Sequence, residues 1–347
     1  MKRIKNFIFQ KLELYWVSLV NGRQGKIHTF LRLLLTPFAS FYGTAVLFRN
    51  WLYDQGWKRT YHAPVPCVVS IGNLVMGGTG KTPITLKLAE AFSDRFLVAI
   101  LSRGYGCGDE PLLFKNRLQS VQMFVGKNRV ESANAASKAG SKLILLDDGF
   151  QHRRLARDVN LVTLQASDPF GKGHLFPRGF LREPPHSLKR ADMILINHNE
   201  SAKVDVDALH QALSKWTSAP IIDFTHCPEG IFQLDGDLIA SIQGKKVGAF
   251  CGIANPERFK STLESLGADV VYFHPLSDHA ELTPKQLAKI CKKAKESGAE
   301  YVLCTEKDAV KLDPSQEIAY VKMGIEIGNE DQWRALLSKI ETFIEKR

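Results

Sequence analysis

A glycine-rich segment that ends in lysine and threonine is the first pattern in this sequence that could do chemistry. Residues 75–82 read VMGGTGKT. Glycines let backbone N–H groups turn inward and surround phosphate oxygens. Lys81 could then reach the β- and γ-phosphates of a nucleotide, and the Thr82 hydroxyl could hold Mg²⁺. The segment predicts a nucleoside-triphosphate site built from Val75, Met76, Gly77, Gly78, Thr79, Gly80, Lys81 and Thr82.

The sequence around this segment predicts a strand before it and a helix after it. Residues 65–72 form a short β-branched run that ends in glycine, as a buried strand does. Residues 82–92 place apolar side chains at helical spacing, and Pro83 is tolerated in the first helical turn. The common form of such a loop has glycine where this chain has Val75, so we expect a variant loop shape.

Two carboxylates at the end of an apolar run form a second candidate site. Residues 143–148 read LILLDD, which predicts a buried strand ending in Asp147 and Asp148. A carboxylate at the end of a strand beside a phosphate loop can hold Mg²⁺, directly or through water. The pattern therefore predicts a magnesium site that includes Thr82, Asp147 and Asp148.

Apolar runs separated by helical stretches continue from residue 65 and predict an α/β fold. The first group of strands is expected at 65–72, 96–102, 142–147, 159–164 and 192–196. A second group is expected at 246–251, 269–273, 301–305 and 318–323, with helices at 256–266, 284–297 and 330–345. We predict a P-loop NTPase-type, mostly parallel sheet with helices on both faces in 61–219, and a smaller α/β domain in 220–347.

The segment 1–60 has a different character. It holds ten Lys and Arg and two acids, a net +8 of the whole chain's +10. Residues 33–48 carry no charge, but a spanning helix needs about 20 such residues. We predict a helical segment lying in a membrane interface, with Trp51, Tyr53 and Trp57 at headgroup depth. A buried helix and a true membrane span remain alternatives.

Composition excludes several classes of protein. The 347 residues are 44% hydrophobic and 24% charged, which argues against wholesale disorder, collagen-like repeats and a polytopic membrane protein. The six cysteines include no CxxC pair, which is typical of a cytosolic chain with reduced thiols. Because the basic residues accompany an apolar stretch, they favour a membrane surface as a partner and not a nucleic acid.

More specific strings identify a family. They are SIGNLVMGGTGKTP (70–83), LSRGYG (101–106), GDEP (108–111), DDGFQHRRLARD (147–158), FPRGFLREP (176–184) and TEKDAVKL (305–312). Together they resemble the tetraacyldisaccharide 4′-kinase family of lipid A synthesis, often called LpxK. The spacing between LSRGYG and GDEP is shorter than is usual in that family.

The resemblance implies a reaction and its participants. The γ-phosphate of ATP, bound with Mg²⁺, would move to the 4′-hydroxyl of a tetraacylated glucosamine disaccharide 1-phosphate, and the product would be lipid IVA. The enzyme would be a peripheral protein at the cytoplasmic face of the inner membrane. Its expected partners are the acylated disaccharide 1-phosphate lipid and the membrane surface, with no obligate protein partner.

The resemblance also implies roles for three further residues. A sugar hydroxyl is a weak nucleophile, so a carboxylate or histidine should accept or orient its proton. Asp109 in GDEP corresponds to the catalytic carboxylate, and His279 in SDHAEL to its orienting partner. Which of the two accepts the proton stays open. Glu110 joins Asp147 and Asp148 as a candidate for contacts to Mg²⁺.

A basic stretch over 151–190 could meet the substrate's 1-phosphate or the transferring phosphoryl group. It holds eight Lys and Arg and three acids. His152, Arg178 and Arg182 are the predicted substrate contacts. The phenylalanines of this stretch could cover acyl chains or simply pack the loop.

Two other functions compete with a lipid kinase. The chain could be a P-loop GTPase or a metallochaperone-type NTPase that acts on a protein partner, but it lacks an NKxD-type guanine signature and a Cys/His metal cluster. It could also be a non-enzymatic module that binds a membrane surface. An intact GKT sequence would have no purpose in such a module.

Overall fold

The computed structural model describes residues 15–22, 25–104, 109–118, 120–198, 204–253, 255–277, 280 and 282–346. The chain divides into two compact units, each made of several segments. The first unit comprises residues 1–85, 133–225 and 327–347, and the second comprises 86–132 and 226–326. A division into consecutive domains at 1–60, 61–219 and 220–347 stays a prediction.

The described residues form an alternating series of strands and helices. The strands are β1 (Cys67–Asn73), β2 (Val98–Ser102), β3 (Gln122–Val125), β4 (Leu143–Asp147), β5 (Val159–Gln165), β6 (Met193–Asn197), β7 (Ile221–Gln233), β8 (Leu238–Ile239), β9 (Lys246–Cys251), β10 (Asp269–Pro275), β11 (Tyr301–Thr305) and β12 (Ala319–Ile327). The helices are α1 (Lys26–Leu34), α2 (Thr36–Asp54), α3 (Lys81–Ser93), α4 (Asp109–Arg117), α5 (Arg129–Lys138), α6 (Val206–Ser214), α7 (Pro256–Ser265), α8 (Pro284–Glu296), α9 (Glu306–Ala309) and α10 (Glu330–Glu345).

The sheet of the first unit is parallel, with the strand order β4-β1-β5-β6-β7 and β5 in the middle. Strand β1 pairs with β4 on one side and β5 on the other, and β6 and the start of β7 continue beyond β5. Every residue of β1, β4 and β6 is buried, as expected of a sheet covered on both faces. Because parallel strands end at the same edge, Asn73 of β1 lies opposite Thr163 of β5, and Asp147 of β4 lies opposite Ile71.

The second unit contains its own parallel strands. Strands β10, β9, β11 and β12 pair side by side in that order, and β2 pairs with β3. Helix α8 packs on β9 and β10 through Leu287, Ile290 and Ala294, which recur at helical spacing. The last part of β7 pairs antiparallel with β8. The α/β fold class predicted from the apolar runs is confirmed by the observed sheet.

Helices α1 and α2 present an apolar face to solvent. Helix α2 buries Ala39, Gly43, Val46 and Asn50 on one side. Its other side carries the exposed aromatic side chains Phe38, Phe41, Phe48 and Trp51. Within the described residues, 27–54 is the one helical stretch that is long and apolar enough to cross a membrane by length and composition. Its burial on one side shows that part of α2 belongs to the packed protein.

Candidate functional site

The glycine-rich loop leaves β1 and opens helix α3, as the sequence predicted. Gly77 and Gly80 have φ angles of 112° and 92°, in the left-handed region that favours glycine. A Cβ atom on Gly80 would lie 2.7 Å from the ring of Phe224, so the loop needs glycine there for packing as well. A Cβ on Gly77 or Gly78 would meet nothing within 4 Å. This part of the loop therefore has open space in which a phosphate can approach the backbone.

Buried polar side chains hold the loop in shape. The Asn73 amide donates to the carbonyl oxygens of Val75 at 2.5 Å and Gly77 at 3.3 Å. Gln151 in turn donates to the Asn73 carbonyl oxygen at 2.9 Å. The hydroxyls of Thr79 and Thr163 lie 2.7 Å apart. These contacts direct the carbonyl groups of Val75 and Gly77 toward buried side chains of the protein.

Val75 explains why the loop departs from the common pattern. Its side chain is buried in a core cluster that includes Leu181. The backbone on each side of Val75 is hydrogen-bonded to residues 180–182. The Met76 N–H donates to the Phe180 carbonyl, and the Arg182 N–H donates to the Leu74 carbonyl, both at 2.8 Å. Val75 thus anchors the start of the loop through packing, a role that glycine cannot fill.

Lys81, Asp148 and Arg182 form a charged cluster beside the loop. Arg182 Nη1 lies 2.8 Å from Asp148 Oδ1 and 3.0 Å from Oδ2, and Lys81 Nζ lies 3.6 Å from Oδ1. All three side chains are more than two-thirds buried. The two cations are therefore held in place by one carboxylate, at the position where the loop's lysine would meet a nucleotide phosphate.

The backbone and the charge of Asp148 are both unusual. Its φ is 52°, a left-handed conformation that, apart from glycine, Asp and Asn adopt more readily than other residues and that recurs at functional sites. Burial disfavours the charged carboxylate, but the charges of Lys81 and Arg182 outweigh this effect and lower the pKa of Asp148. The carboxylate therefore stays ionised at neutral pH.

Of the residues predicted to hold Mg²⁺, the structure describes Thr82, Asp147 and Asp148 with their side chains. Asp147 is buried at the end of β4, next to Asp148, and Thr82 lies in the first turn of α3. The described residues contain no group of three or more His, Cys, Asp or Glu side chains that could hold a metal ion. Mg²⁺ on a nucleotide needs no such group, because it binds to one or two protein oxygens and to phosphate oxygens. The oxygen donors of Thr82 and Asp147 fit this requirement.

The proposed acid–base residues lie at the limits of the described structure. Asp109 and Glu110 form the first turn of helix α4, but the described structure does not include their side chains. His279 lies outside the described residues altogether. Their roles as catalytic residues and metal ligand stay predictions.

The other predicted substrate contacts lie in different places. His152 follows the Asp148 turn, where its backbone N–H donates to the Gly149 carbonyl at 2.9 Å. Arg178 lies near His174, whose pKa falls through desolvation and through the charge of Arg178. Of the three predicted contacts, Arg182 alone has its side chain in the charged cluster with Lys81. Phe176 and Phe180 pack edge-to-face on Trp16, so in this structure they pack the loop.

Sequence reasoning missed the residues that support the site. Asn73, Gln151 and Thr163 shape the loop, Tyr42 contacts Arg182, and Glu183 binds Asn50 of α2. A signal exists for two of them. Asn73 is an amide at the end of a buried apolar strand, and Glu183 is one of only three acids among eight basic residues in 151–190. Nothing in the sequence indicates that Tyr42 and residues 182–183 meet.

Comparison with known proteins gives consistent matches. A family model described as "LpxK: Tetraacyldisaccharide-1-P 4'-kinase" matches residues 31–107 and 106–341. The two matched segments meet between LSRGYG and GDEP, where the spacing is short. A tetraacyldisaccharide 4'-kinase of Syntrophus aciditrophicus is 39% identical over 83% of this chain and 86% of its own length. One of Anaeromyxobacter dehalogenans is 40% identical over 81% of each.

A solved structure is similar over most of its length. The crystal structure of the "apo" form of LpxK from Aquifex aeolicus in complex with ATP matches this chain with a TM-score of 0.73. The two sequences are 28% identical, and the match covers 89% of this chain and 99% of the Aquifex aeolicus chain.

Proposed function

The chain belongs to the tetraacyldisaccharide 4'-kinase family, and on that premise we propose that it transfers the γ-phosphate of ATP to the 4′-hydroxyl of a tetraacylated disaccharide 1-phosphate. The product would be lipid IVA. Membership makes the chain a kinase of lipid A synthesis. The site of transfer on the sugar and the identity of the product are part of the proposal.

The observation that carries the proposal is the cluster of Lys81, Asp148 and Arg182 beside the open glycine loop. Phosphoryl transfer needs little covalent chemistry from the protein, and catalysis comes from positioning and from charge stabilisation. Loop N–H groups near Gly77 and Gly78 would bind phosphate oxygens. Lys81 and Arg182 would stabilise negative charge on the transferring group, and Asp148 would keep both cations oriented.

Mg²⁺ is the cofactor that this chemistry uses, and Thr82 and Asp147 are the residues that would hold it. When bound, Mg²⁺ neutralises charge on the β- and γ-phosphates. Glu110 is a further candidate for the same role. Asp148 already contacts Arg182 and Lys81. We therefore assign it the role of orienting these two cations, in preference to direct binding of the metal.

Asp109 and His279 would act on the acceptor hydroxyl. In this proposal Asp109 accepts or orients the proton of the 4′-hydroxyl, and His279 orients Asp109. His152 and Arg178 would contact the substrate's phosphate groups. These roles rest on the resemblance of the GDEP and SDHAEL sequences to the family.

The exposed apolar face of α1 and α2 supports association with the membrane that contains the substrate. Phe41 is 80% exposed and Phe38 is 64% exposed. Apolar side chains of this size gain free energy by leaving water for the acyl region of a bilayer. The net positive charge of the segment favours anionic lipids. We place the enzyme at the cytoplasmic face of the inner membrane, because its substrate ATP is cytoplasmic.

Product analysis tests the proposed reaction. Purified protein is incubated with γ-labelled ATP, Mg²⁺ and tetraacyldisaccharide 1-phosphate in mixed micelles. We expect label on the 4′ position of the lipid, and no label on an acceptor that lacks the 4′-hydroxyl. Parallel reactions with GTP test the competing GTPase function. Turnover of nucleotide without labelled lipid would contradict the proposal.

A further inference from the structure

The backbone of Arg182 contacts both the strand end before the nucleotide loop and helix α2. The Arg182 N–H donates to the Leu74 carbonyl, just before the loop. The Arg182 carbonyl oxygen accepts a 2.9 Å hydrogen bond from the Tyr42 hydroxyl of α2. The backbone of Arg182 is thus fixed from both sides, while its side chain contacts Asp148.

Glu183, the next residue, is fully buried and surrounded by donors. Its carboxylate accepts hydrogen bonds from Asn50 at 2.7 Å, Arg190 at 2.7 Å and Arg49 at 3.1 Å. Asn50 and Arg49 lie on α2, and Arg190 lies at the end of the same basic stretch. A buried carboxylate with three partners fixes a local geometry closely, although it contributes little net stability compared with apolar packing.

The opposite face of the same helix is the apolar surface described above. Phe41 and Phe48 are exposed, whereas Tyr42 and Asn50, only one and two positions away, contact residues 182 and 183. Helix α2 therefore joins a lipid-facing surface to the arginine of the charged cluster within one helical diameter, about 10 Å.

We propose that Tyr42 and Glu183 are positioning residues, which hold the guanidinium of Arg182 in its place beside Asp148 and Lys81. The proposal rests on the proposed function, because it assigns these residues an effect on phosphate transfer through Arg182. The Tyr42 hydroxyl holds the carbonyl group of Arg182. The Glu183 carboxylate holds the next position of the chain against α2. A helix seated in a bilayer thereby sets the position of a phosphate-contacting side chain.

A simpler explanation is that Tyr42 and Glu183 serve only to stabilise the fold. A purely structural role would lower the melting temperature and would reduce activity by the same factor whether or not Arg182 is present. A positioning role would depend on the Arg182 side chain. A double-mutant cycle separates the two explanations, because coupled residues give non-additive effects.

The experiment introduces Tyr42→Phe and Glu183→Gln into wild type and into Arg182→Ala. Tyr301→Phe is the matched control, since it removes a tyrosine hydroxyl from β11, to which no catalytic or membrane role is assigned, and no hydrogen bond of that hydroxyl occurs within the described residues. The kcat and KM for ATP and the melting temperature are measured for every variant in mixed micelles containing the lipid acceptor. A hydrogen bond of ordinary strength corresponds to about fivefold in rate.

We expect each substitution to lower kcat about fivefold or more in wild type, with KM for ATP changed less than about twofold. In the Arg182→Ala background the same substitutions should lower kcat by less than about twofold. Equal losses in both backgrounds, or a loss in Tyr301→Phe as large as in Tyr42→Phe, would overturn the proposal. If Glu183→Gln does not fold, Tyr42→Phe decides alone. Failure of the wild-type protein to phosphorylate the lipid would instead refute the proposed function.

Discussion

A single guanidinium nitrogen of Arg182 lies within 3.0 Å of both carboxylate oxygens of Asp148, and the Lys81 ammonium lies 3.6 Å from one of them. The three residues come from separate parts of the sequence: the first residue of α3, the turn after β4 and the basic stretch. Each residue belongs to a different sequence motif, at residues 70–83, 147–158 and 176–184. The resulting pair of oriented cations beside an open phosphate loop is the basis of the predictions below.

Substitution of Asp148 should change how stability depends on pH. The pKa of Asp148 is lowered in the folded protein, so its carboxylate adds stability at any pH above its unfolded pKa. That contribution is lost as pH falls through the folded pKa. We expect Asp148→Asn to lower the free energy of unfolding by roughly 1–3 kcal/mol at pH 7, and by less as the pH falls below about 4.

Urea unfolding of the wild type and Asp148→Asn at pH 7 and pH 3 measures this effect. Asparagine suits the left-handed backbone at this position, so the substitution isolates the charge. A difference in unfolding free energy that does not shrink toward pH 3 would show that Lys81 and Arg182 do not act on Asp148 as described.

Gly80 and Gly78 should respond differently to alanine. Gly80→Ala introduces a Cβ into contact with Phe224 and places alanine at a φ of 92°, so we expect a loss of about 1–3 kcal/mol in unfolding free energy. Gly78→Ala meets open space and should cost less than about 1 kcal/mol. Denaturant unfolding compares the two variants. Equal losses would mean that the loop does not pack on Phe224.

A charge on the exposed face of α2 should weaken membrane binding without affecting the fold. Phe41→Glu removes a large exposed apolar side chain, and we expect roughly tenfold weaker pelleting with anionic lipid vesicles. Gln211→Glu adds the same charge at an exposed position on α6 and serves as the control. Unchanged pelleting of Phe41→Glu would show that this face does not contact the bilayer.

Asp109 and His279 should behave as one catalytic unit. We expect Asp109→Ala to lower phosphate transfer by at least about 100-fold, and His279→Ala to add little in the Asp109→Ala background, because residues that act together give non-additive losses. Single-turnover rates of the two single variants and the double variant test this. Losses that multiply would mean that the two residues act independently.

The extent of sequence-based prediction differed between parts of the molecule. The buried strands β1, β4 and β6 were predicted because each is a continuous apolar run, and the loop after β1 because its glycines and GKT sequence are local. Strand β3 was missed because its apolar run is only three residues long and none of its residues is fully buried. Local sequence is enough where burial is complete and the pattern is contiguous.

The contacts across the site were beyond sequence-based prediction. Arg182 was a predicted phosphate contact, but the sequence could not show that its guanidinium binds Asp148 instead of lying free in a loop. Val75 was expected to alter the loop, and the reason is a contact with a core cluster around Leu181, 106 positions along the chain. Such pairings depend on tertiary packing, which one sequence without relatives does not encode in any local pattern.

The role of Lys81 in phosphate transfer is decided by the rate of the Lys81→Ala variant. The rate of γ-phosphate transfer from ATP to tetraacyldisaccharide 1-phosphate is measured for wild type, Lys81→Ala and the control Lys292→Ala, an exposed lysine on α8. We expect a loss on the order of 100-fold or more in Lys81→Ala, with an unchanged fold and an unchanged rate in the control. A Lys81→Ala enzyme that transfers phosphate at the wild-type rate would contradict this role.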